Sequence, residues 1–541
     1  MNPATAKRPN ILLIMTDQQR ADHLGCYGNP ILRTPNIDGL ARQGVRASRF
    51  YVASPTCMSN RATLMTGRMP SLHGVLHNGI PLSREDTTFV ELLRDAGYAT
   101  ALIGKSHLQN FGYNNPPIRS WENLNGGVPP SDALKDARKH HRRGREYDNE
   151  WTPYWKADAS FHVQTPFYGF DEVRLCTLHG DRVQGDYARW LAQRHPDPDS
   201  LRGREHAIPD PRYSAPQAWR TRMPVELYPS TYVAEQACEW LESHVHRAGG
   251  DAPFFIQCSF PDPHHPFTPP GKYWDMYDPA GIPLPPSFHQ KRMPALLQAV
   301  HDRTRAGGSR EAYVPFALSE RECREITALT YGSISLIDDC VGRILAQLDR
   351  LGLRENTVIV VTSDHGEMMG DHGIALKGVM HYQGVTRVPF IWSDPALPAQ
   401  RRGAGLGSLA GTIDLAQTML ARVGVAPFNG IQGVNLLPSI RGEAQTEPER
   451  AGIVVESEPL QYAFGRPRRF KVRTLFTERH RLTLSDDPAV CEFYDLQDDP
   501  HEVEDLWNDP AARPVRDQLI SMLAVEMIRL SESSPLPSAQ A

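Results

Sequence analysis

No two cysteines in this chain form a C-x-x-C pair, and only eight occur in 541 residues. They are scattered (Cys26, Cys57, Cys176, Cys238, Cys258, Cys323, Cys340 and Cys491). That pattern excludes a zinc knuckle and a thioredoxin motif. It also argues against a disulfide framework and for a reducing compartment. No apolar run approaches the length that crosses a bilayer. Neither sign of charge dominates: 58 Lys and Arg face 63 Asp and Glu, for a net charge of -5. With no long Lys/Arg run, neither a nucleic acid nor a membrane surface is implied as a partner. No internal repeat is visible. The polar stretch Met1 to Pro9 passes straight into a strand-like run. A secretory signal needs a longer apolar stretch and a small-residue cleavage site, so a cytoplasmic location is expected.

What is present is ordinary globular composition, 40% hydrophobic and 22% charged. The length suits a large core and more than one domain. Four apolar runs each end in a charged or imidazole-bearing cluster. Asn10 to Met15 leads to Asp17-Gln18, and Tyr98 to Ile103 leads to Gly104-Lys105-Ser106-His107. Pro253 to Phe260 leads to Asp262-Pro263-His264-His265, and Thr357 to Thr362 leads to Asp364-His365-Gly366. Continuous apolar runs mark strands buried on both faces. In open α/β sheets ligands sit at the carboxyl ends of such strands, so the four clusters are expected to wall one site.

Helical stretches alternate with these strands, clearest at Phe89 to Ala96, Tyr232 to Arg247 and Ser319 to Leu351. The expected fold is therefore α/β, a large mixed, mostly parallel sheet sandwiched by helices, with a small C-terminal α+β subdomain. The main domain spans 1–448, with insertions at about 113–222 and 269–315 that break the rhythm and shape substrate choice. Residues 449–541 should hold a small antiparallel sheet and one amphipathic helix, Ala512 to Ser531, followed by a frayed tail.

The segment Pro55 to Arg68 puts Cys57 just ahead of a short amphipathic run, with Arg61 four residues on. On a helix those two share a face, and a nucleophile at a helix N-terminus beside a guanidinium suits an anionic substrate. The plainer reading is a buried structural Cys and a surface Arg. Asp17, Asp364 and His365, with a carbonyl oxygen from Gln18, offer hard donors for calcium, magnesium or manganese. The competing roles are a helix N-cap for Asp17 and a turn for Asp364 to Gly366. Lys105, His107, His264 and Lys377 could hold a tetrahedral oxyanion and protonate a leaving group. A structural role weighs more heavily on His265 and His381. Asn78, in His77-Asn78-Gly79, fits either the site or a turn.

These pieces together resemble the sulfatase family of the alkaline phosphatase superfamily. So does the segment Phe493 to Pro500 with Glu502 and Asp505-Leu506. The resemblance implies an alkaline phosphatase-like fold and a metal-dependent sulfuric ester hydrolase, with Ca2+ ahead of Mn2+ or Mg2+. It implies that a formylglycine-generating enzyme oxidises Cys57 to formylglycine, whose hydrate attacks sulfur; the sulfated hemiacetal then collapses to aldehyde and sulfate. Carried onto this chain, Asp17, Gln18, Asp364, His365 and the modified residue 57 are the metal ligands. Arg61 and Lys105 stabilise the hydrated aldehyde, and His107 is the base for collapse. His264 and Lys377 hold the ester and assist the leaving group, and Asn78 contacts substrate.

The chain departs from the family pattern in two places. Ser59 stands where Cys-x-Pro-x-Arg has its proline, and Asn60 precedes Arg61 where a small residue is usual. Asp17-Gln18 replaces the more usual pair of aspartates. With Asn78 and Asp364-His365, that Gln resembles the branch holding phosphonate monoester hydrolases and their arylsulfatase relatives. The substrate expected is thus a small-molecule sulfate ester. The alternative is a phosphonate monoester or phosphodiester, and a third reading is an anion-binding homologue with unmodified Cys57. A homo-oligomer stays possible.

Overall fold

A computed structural model describes residues 8–112, 142, 144–248, 252–311, 314–443, 450–463 and 466–538. Nine strands form its main sheet. In chain order they are β1 (Asn10–Thr16), β2 (Val45–Ala47), β3 (Ala99–Lys105), β4 (Glu172–Thr177), β5 (Gln184–Gly185), β6 (Phe254–Ser259), β7 (Thr357–Ser363), β8 (Phe390–Ser393) and β9 (Gly405–Leu406). Across the sheet the order is β9-β2-β8-β7-β1-β6-β3-β4-β5. The central strands β7, β1, β6, β3 and β4 are all parallel. Antiparallel pairing enters only where β8 meets β7 and β2, and at the β5 edge.

The four apolar runs are therefore neighbours, β7-β1-β6-β3, and their carboxyl ends lie side by side. Their unbroken hydrophobicity follows from cover on both faces. Ile11, Leu13 and Met15 pack with Met58, Phe89 and Met419 on one side. Leu12 and Ile14 pack with Val233, Ile334 and Val341 on the other. There the helix Glu320–Arg350 begins at a capping box, in which the Ser319 hydroxyl accepts from the Glu322 N–H and the Glu322 carboxylate accepts in return.

Three expectations change. Part of 113–222 (113–141 and 143) lies outside the described residues, but from Glu172 onward the supposed insertion supplies β4 and β5 of the main sheet. In the stretch 269–315, Leu296 and Leu297 pack on Met368, Val379 and Tyr382. The start of the tail expected to fray is anchored: Glu532 pairs with Arg68, and the Ser534 carbonyl accepts from Asn429.

The boundary at 448 also lies outside the described residues. Beyond it, Ile453–Ser457, Val472–Phe476, His480–Ser485 and Glu492–Asp495 form an antiparallel sheet in that order. The helix Arg513–Arg529 buries Leu519 and Leu523 against Leu475, Leu482 and Phe493. It is less amphipathic than expected, because Val525, Met527 and Ile528 are exposed. At the seam, the buried Arg481 guanidinium lies between the rings of Tyr382 and Tyr494 and pairs with Glu492 and Glu502. Among the described residues no helix is long and apolar enough to cross a membrane.

Candidate active site

The helix α1 (Cys57–Thr66) carries the residue that opens the site. All ten of its residues are buried, so it is not the amphipathic run expected. It stops at Gly67, whose φ of 62° places its N–H on the Thr63 carbonyl. Arg61 is buried beside Cys57 rather than on the surface. Its Nε donates to Asp364 Oδ2 at 2.7 Å, and its Nη1 donates to the Lys105 carbonyl at 2.9 Å and Ser259 Oγ at 3.0 Å. Its first task is thus to neutralise Asp364 and tie α1 to β3 and β6. Asn60 works alongside: its Nδ2 donates to the Asp364 carbonyl at 2.6 Å, and its Oδ1 accepts from the Ala53 N–H and Thr412. The Ser59 hydroxyl is buried with no hydrogen-bond partner among the described residues.

Ligand atoms of Asp17, Cys57, Asp364 and His365 all lie within 4.8 Å of one another. Cys57 Sγ is 3.0 Å from His365 Nε2, which stands 3.4 Å from Asp17 Oδ1 and 3.5 Å from Asp364 Oδ1. His365 Nδ1 donates to the Gly366 carbonyl at 2.9 Å, so Nε2 faces the quartet and offers it a lone pair when the ring is neutral. Asp17 Oδ1 is buried and accepts no hydrogen bond among the described residues. Lone pairs converging without a donor between them fit a cation. Two carboxylates and one imidazole suit a hard divalent ion. A proton competes with a cation for this place: burial would depress His365, but Asp364, Cys57 and Asp17 carry it up to about 9. Burial would raise the Cys57 thiol, but Lys377, His365 and Lys105 bring it down to about 7.

Opposite the carboxylates stands a cationic wall. Lys105 pairs with Asp17 and lies 2.7 Å from His179 Nε2. Lys377 Nζ is 3.3 Å from His264 Nε2 and donates to Gln18 Oε1 at 3.0 Å. Gln18, expected among the metal ligands, thus gives its carbonyl oxygen to Lys377, while its Nε2 meets His265 Nδ1 at 3.3 Å. His264 Nδ1 donates to the His265 carbonyl at 2.6 Å. Burial, reinforced by cationic neighbours, pushes His107 and His264 well below the ordinary imidazole range, so both are neutral near pH 7. The His107 ring stacks on Phe111 at 4.0 Å. Exposed Asn78 sits at the rim, where its Oδ1 accepts from the Met58 N–H at 3.1 Å. His381 is structural, bonded to Ser457 and Thr474 at the seam.

Carboxylates also hold the backbone where non-glycine residues take positive φ. Gln18 (φ 66°) donates its N–H to Asp364, and His107 (φ 58°) donates to Glu150. Leu376 (φ 69°), just before Lys377, donates to Glu367. Burial pushes Glu150 up to about 7 against the pull of its backbone donors. His179, Glu150 and Glu367 had not been singled out from the sequence. His179 carried a usable signal, because β4 ends in Leu178-His179-Gly180 just as the other strands end in polar clusters. Glu150 and Glu367 carried none, since their partners are backbone groups.

A buried cysteine at a helix start and a quartet that could hold a metal ion, at the carboxyl ends of a parallel sheet and beside lysines and histidines, fit a hydrolase of the alkaline phosphatase superfamily. The chain belongs to the sulfatase family: the sulfatase family model matches residues 9–425, and one for the C-terminal part of N-sulphoglucosamine sulphohydrolase matches residues 370–529. An arylsulfatase of Clostridium perfringens is 27% identical over 526 residues, covering 96% of this chain and 94% of that protein. The multifunctional alkaline phosphatase superfamily protein PehA of Trinickia caryophylli is 28% identical over 548 residues, covering 94% and 93%. A solved phosphonate monoester hydrolase of Agrobacterium radiobacter is similar with a TM-score of 0.74 and 25% identity, over 97% of this chain and 96% of that one.

Proposed function

We propose that this chain hydrolyses small sulfate esters, with residue 57 acting as formylglycine and one divalent cation, calcium foremost, held by Asp17, Asp364, His365 and residue 57. The observation that carries the reading is the meeting of that quartet with two lysines, Lys105 paired with Asp17 and Lys377 bonded to the neighbouring Gln18. When bound, the cation supplies Lewis-acid polarisation and charge neutralisation. The protein does the rest. Lys105 and Lys377 face the ester oxygens, where their fixed charges act in a buried setting. Neutral His264 turns its Nε2 lone pair toward the Lys377 ammonium and orients it, so Lys377 gives the proton to the leaving alcohol and regains one from solvent. Neutral His107 takes the proton that releases sulfate and regenerates the aldehyde. Arg61 holds Asp364 in place.

A second reading, phosphonate monoester or phosphodiester hydrolysis at the same site, is favoured by two specifics. Gln18 stands where the family more often has aspartate, which makes the site one negative charge lighter, and the structural likeness to the Agrobacterium radiobacter phosphonate monoester hydrolase spans nearly the whole chain. One experiment tests both readings. The peptide containing residue 57 is weighed, and kcat/KM is measured on matched aryl sulfate and aryl phosphonate. Formylglycine with a higher value on the sulfate is expected. A higher value on the phosphonate selects the second reading, and an intact thiol with no turnover on either ester defeats both.

A further inference from the structure

Among the described residues, no hydrogen bond sets the direction of the His107 ring. His264 is held through its Nδ1 by the His265 carbonyl, and His365 by the Gly366 carbonyl. His179 meets Lys105. The His107 Nδ1 is buried with no hydrogen-bond partner among the described residues, and stacking on Phe111 sets the plane of the ring but not which of its nitrogens points where. The backbone must therefore place it, and that backbone is in the left-handed region that a side-chain-bearing residue adopts only under constraint.

The constraint is Glu150. This carboxylate is fully buried and accepts three successive backbone N–H groups: His107 at 2.7 Å, Leu108 at 2.9 Å and Gln109 at 2.8 Å. Successive amides turned onto one anion form a nest, here filled by the protein's own side chain. The same short segment grips the loop again. The Gln109 carboxamide donates to the Glu146 carbonyl at 2.7 Å and accepts from the Asn149 N–H at 2.9 Å. Nothing about Glu150 points to a ligand or a reacting atom of its own, because both its oxygens are committed to the loop.

We infer that Glu150 is a positioning residue for the hydrolytic reaction, fixing the left-handed turn that aims His107 into the pocket. The inference rests on the reading of His107 as a proton acceptor in turnover, and it adds that residues 146–150 are part of the active-site scaffold.

The test is a double-mutant cycle on the full, metal-loaded chain with an aryl sulfate as probe. Glu150→Gln keeps the volume but brings amide hydrogens toward backbone donors. It should lower kcat by roughly 10–100-fold while KM stays within about two-fold. In a His107→Ala background the same substitution should change kcat less than about two-fold, because there is no ring left to aim. Glu150→Asp, which keeps the charge on a shorter arm, should recover part of the loss and serves as the cycle partner if Glu150→Gln does not fold. A loss of equal factor in both backgrounds, or one confined to KM, overturns the inference while leaving the role of His107 intact. If His107→Ala alone leaves kcat unchanged, the role of His107 falls and the inference falls with it.

Discussion

Asp17 and Asp364 reach the pocket from two adjacent parallel strands in register, with Thr16 opposite Ser363. Lys105, His107, His179, His264 and Lys377 reach it from the ends of β3, β4, β6 and the loop after β7. The carboxylate half needs little beyond the sheet: once β1 pairs with β7, the acids are side by side, and Arg61 cancels their repulsion. In the cationic half the lysines contact imidazoles, Lys105 with His179 and Lys377 with His264, but these side-chain contacts do not fix the loops that carry them, so the backbone is held from outside. Buried glutamates at 150 and 367 hold the backbone of that half, each on a residue of positive φ. One half of the site is thus a product of strand pairing, and the other of loop anchoring.

If that contrast is right, the carboxylate half should fail abruptly. Asp364→Ala removes a cation ligand, frees the Gln18 N–H and leaves Arg61 buried without its main partner. Turnover should fall by about 10³-fold or more, since each 1.36 kcal/mol of lost transition-state stabilisation is tenfold. Stability should fall by about 3–5 kcal/mol, the usual consequence of orphaning a buried charge. Chelation sharpens the point. Removing the cation should lower the unfolding midpoint of the unsubstituted chain and leave that of Asp364→Ala unmoved, because only a site that binds can be linked to folding. Equal shifts in both proteins would mean that the cation sits elsewhere.

The cationic half should fail by degrees. Glu367 is buried, takes the Leu376 N–H on one oxygen and has its other oxygen without a hydrogen bond among the described residues. Glu367→Gln leaves Lys377 present but loosens the turn that delivers it. We expect kcat to fall by about tenfold, well short of the loss in Lys377→Ala, with most of the folding stability kept. A loss as large as that of Lys377→Ala would mean Glu367 acts on the reaction directly.

The same contrast explains what could be read from the sequence. Asp17, Asp364 and His365 were legible because each follows an unbroken apolar run, and chain order alone places such residues at strand ends. Lys105, His107 and His264 were legible for the same reason. Strand order was not, since nothing local to Thr357–Ser363 says that its neighbour is Asn10–Thr16. His179 was missed because the irregular composition before it hid a true strand, Glu172–Thr177. Glu150 and Glu367 were invisible because a carboxylate that grips peptide N–H groups leaves no pattern in side-chain types. Arg61 was found, but its bond to Asp364 belongs to tertiary structure.

The smallest effect should come at the rim, where both halves meet solvent. Asn78 is exposed, its Oδ1 accepts the Met58 N–H at the start of α1, and its Nδ2 makes no hydrogen bond among the described residues. Those two ends predict two separable losses in Asn78→Ala. Removing a side-chain acceptor from a helix N-terminus costs about 0.5–2 kcal/mol, which thermal unfolding will register. Removing an outward amide that can donate to an ester oxygen should raise KM about three- to tenfold with kcat nearly unchanged, as loss of a uniform contact does. A drop in stability with KM unmoved would assign Asn78 to the helix alone and place the substrate deeper, against Lys105 and Lys377.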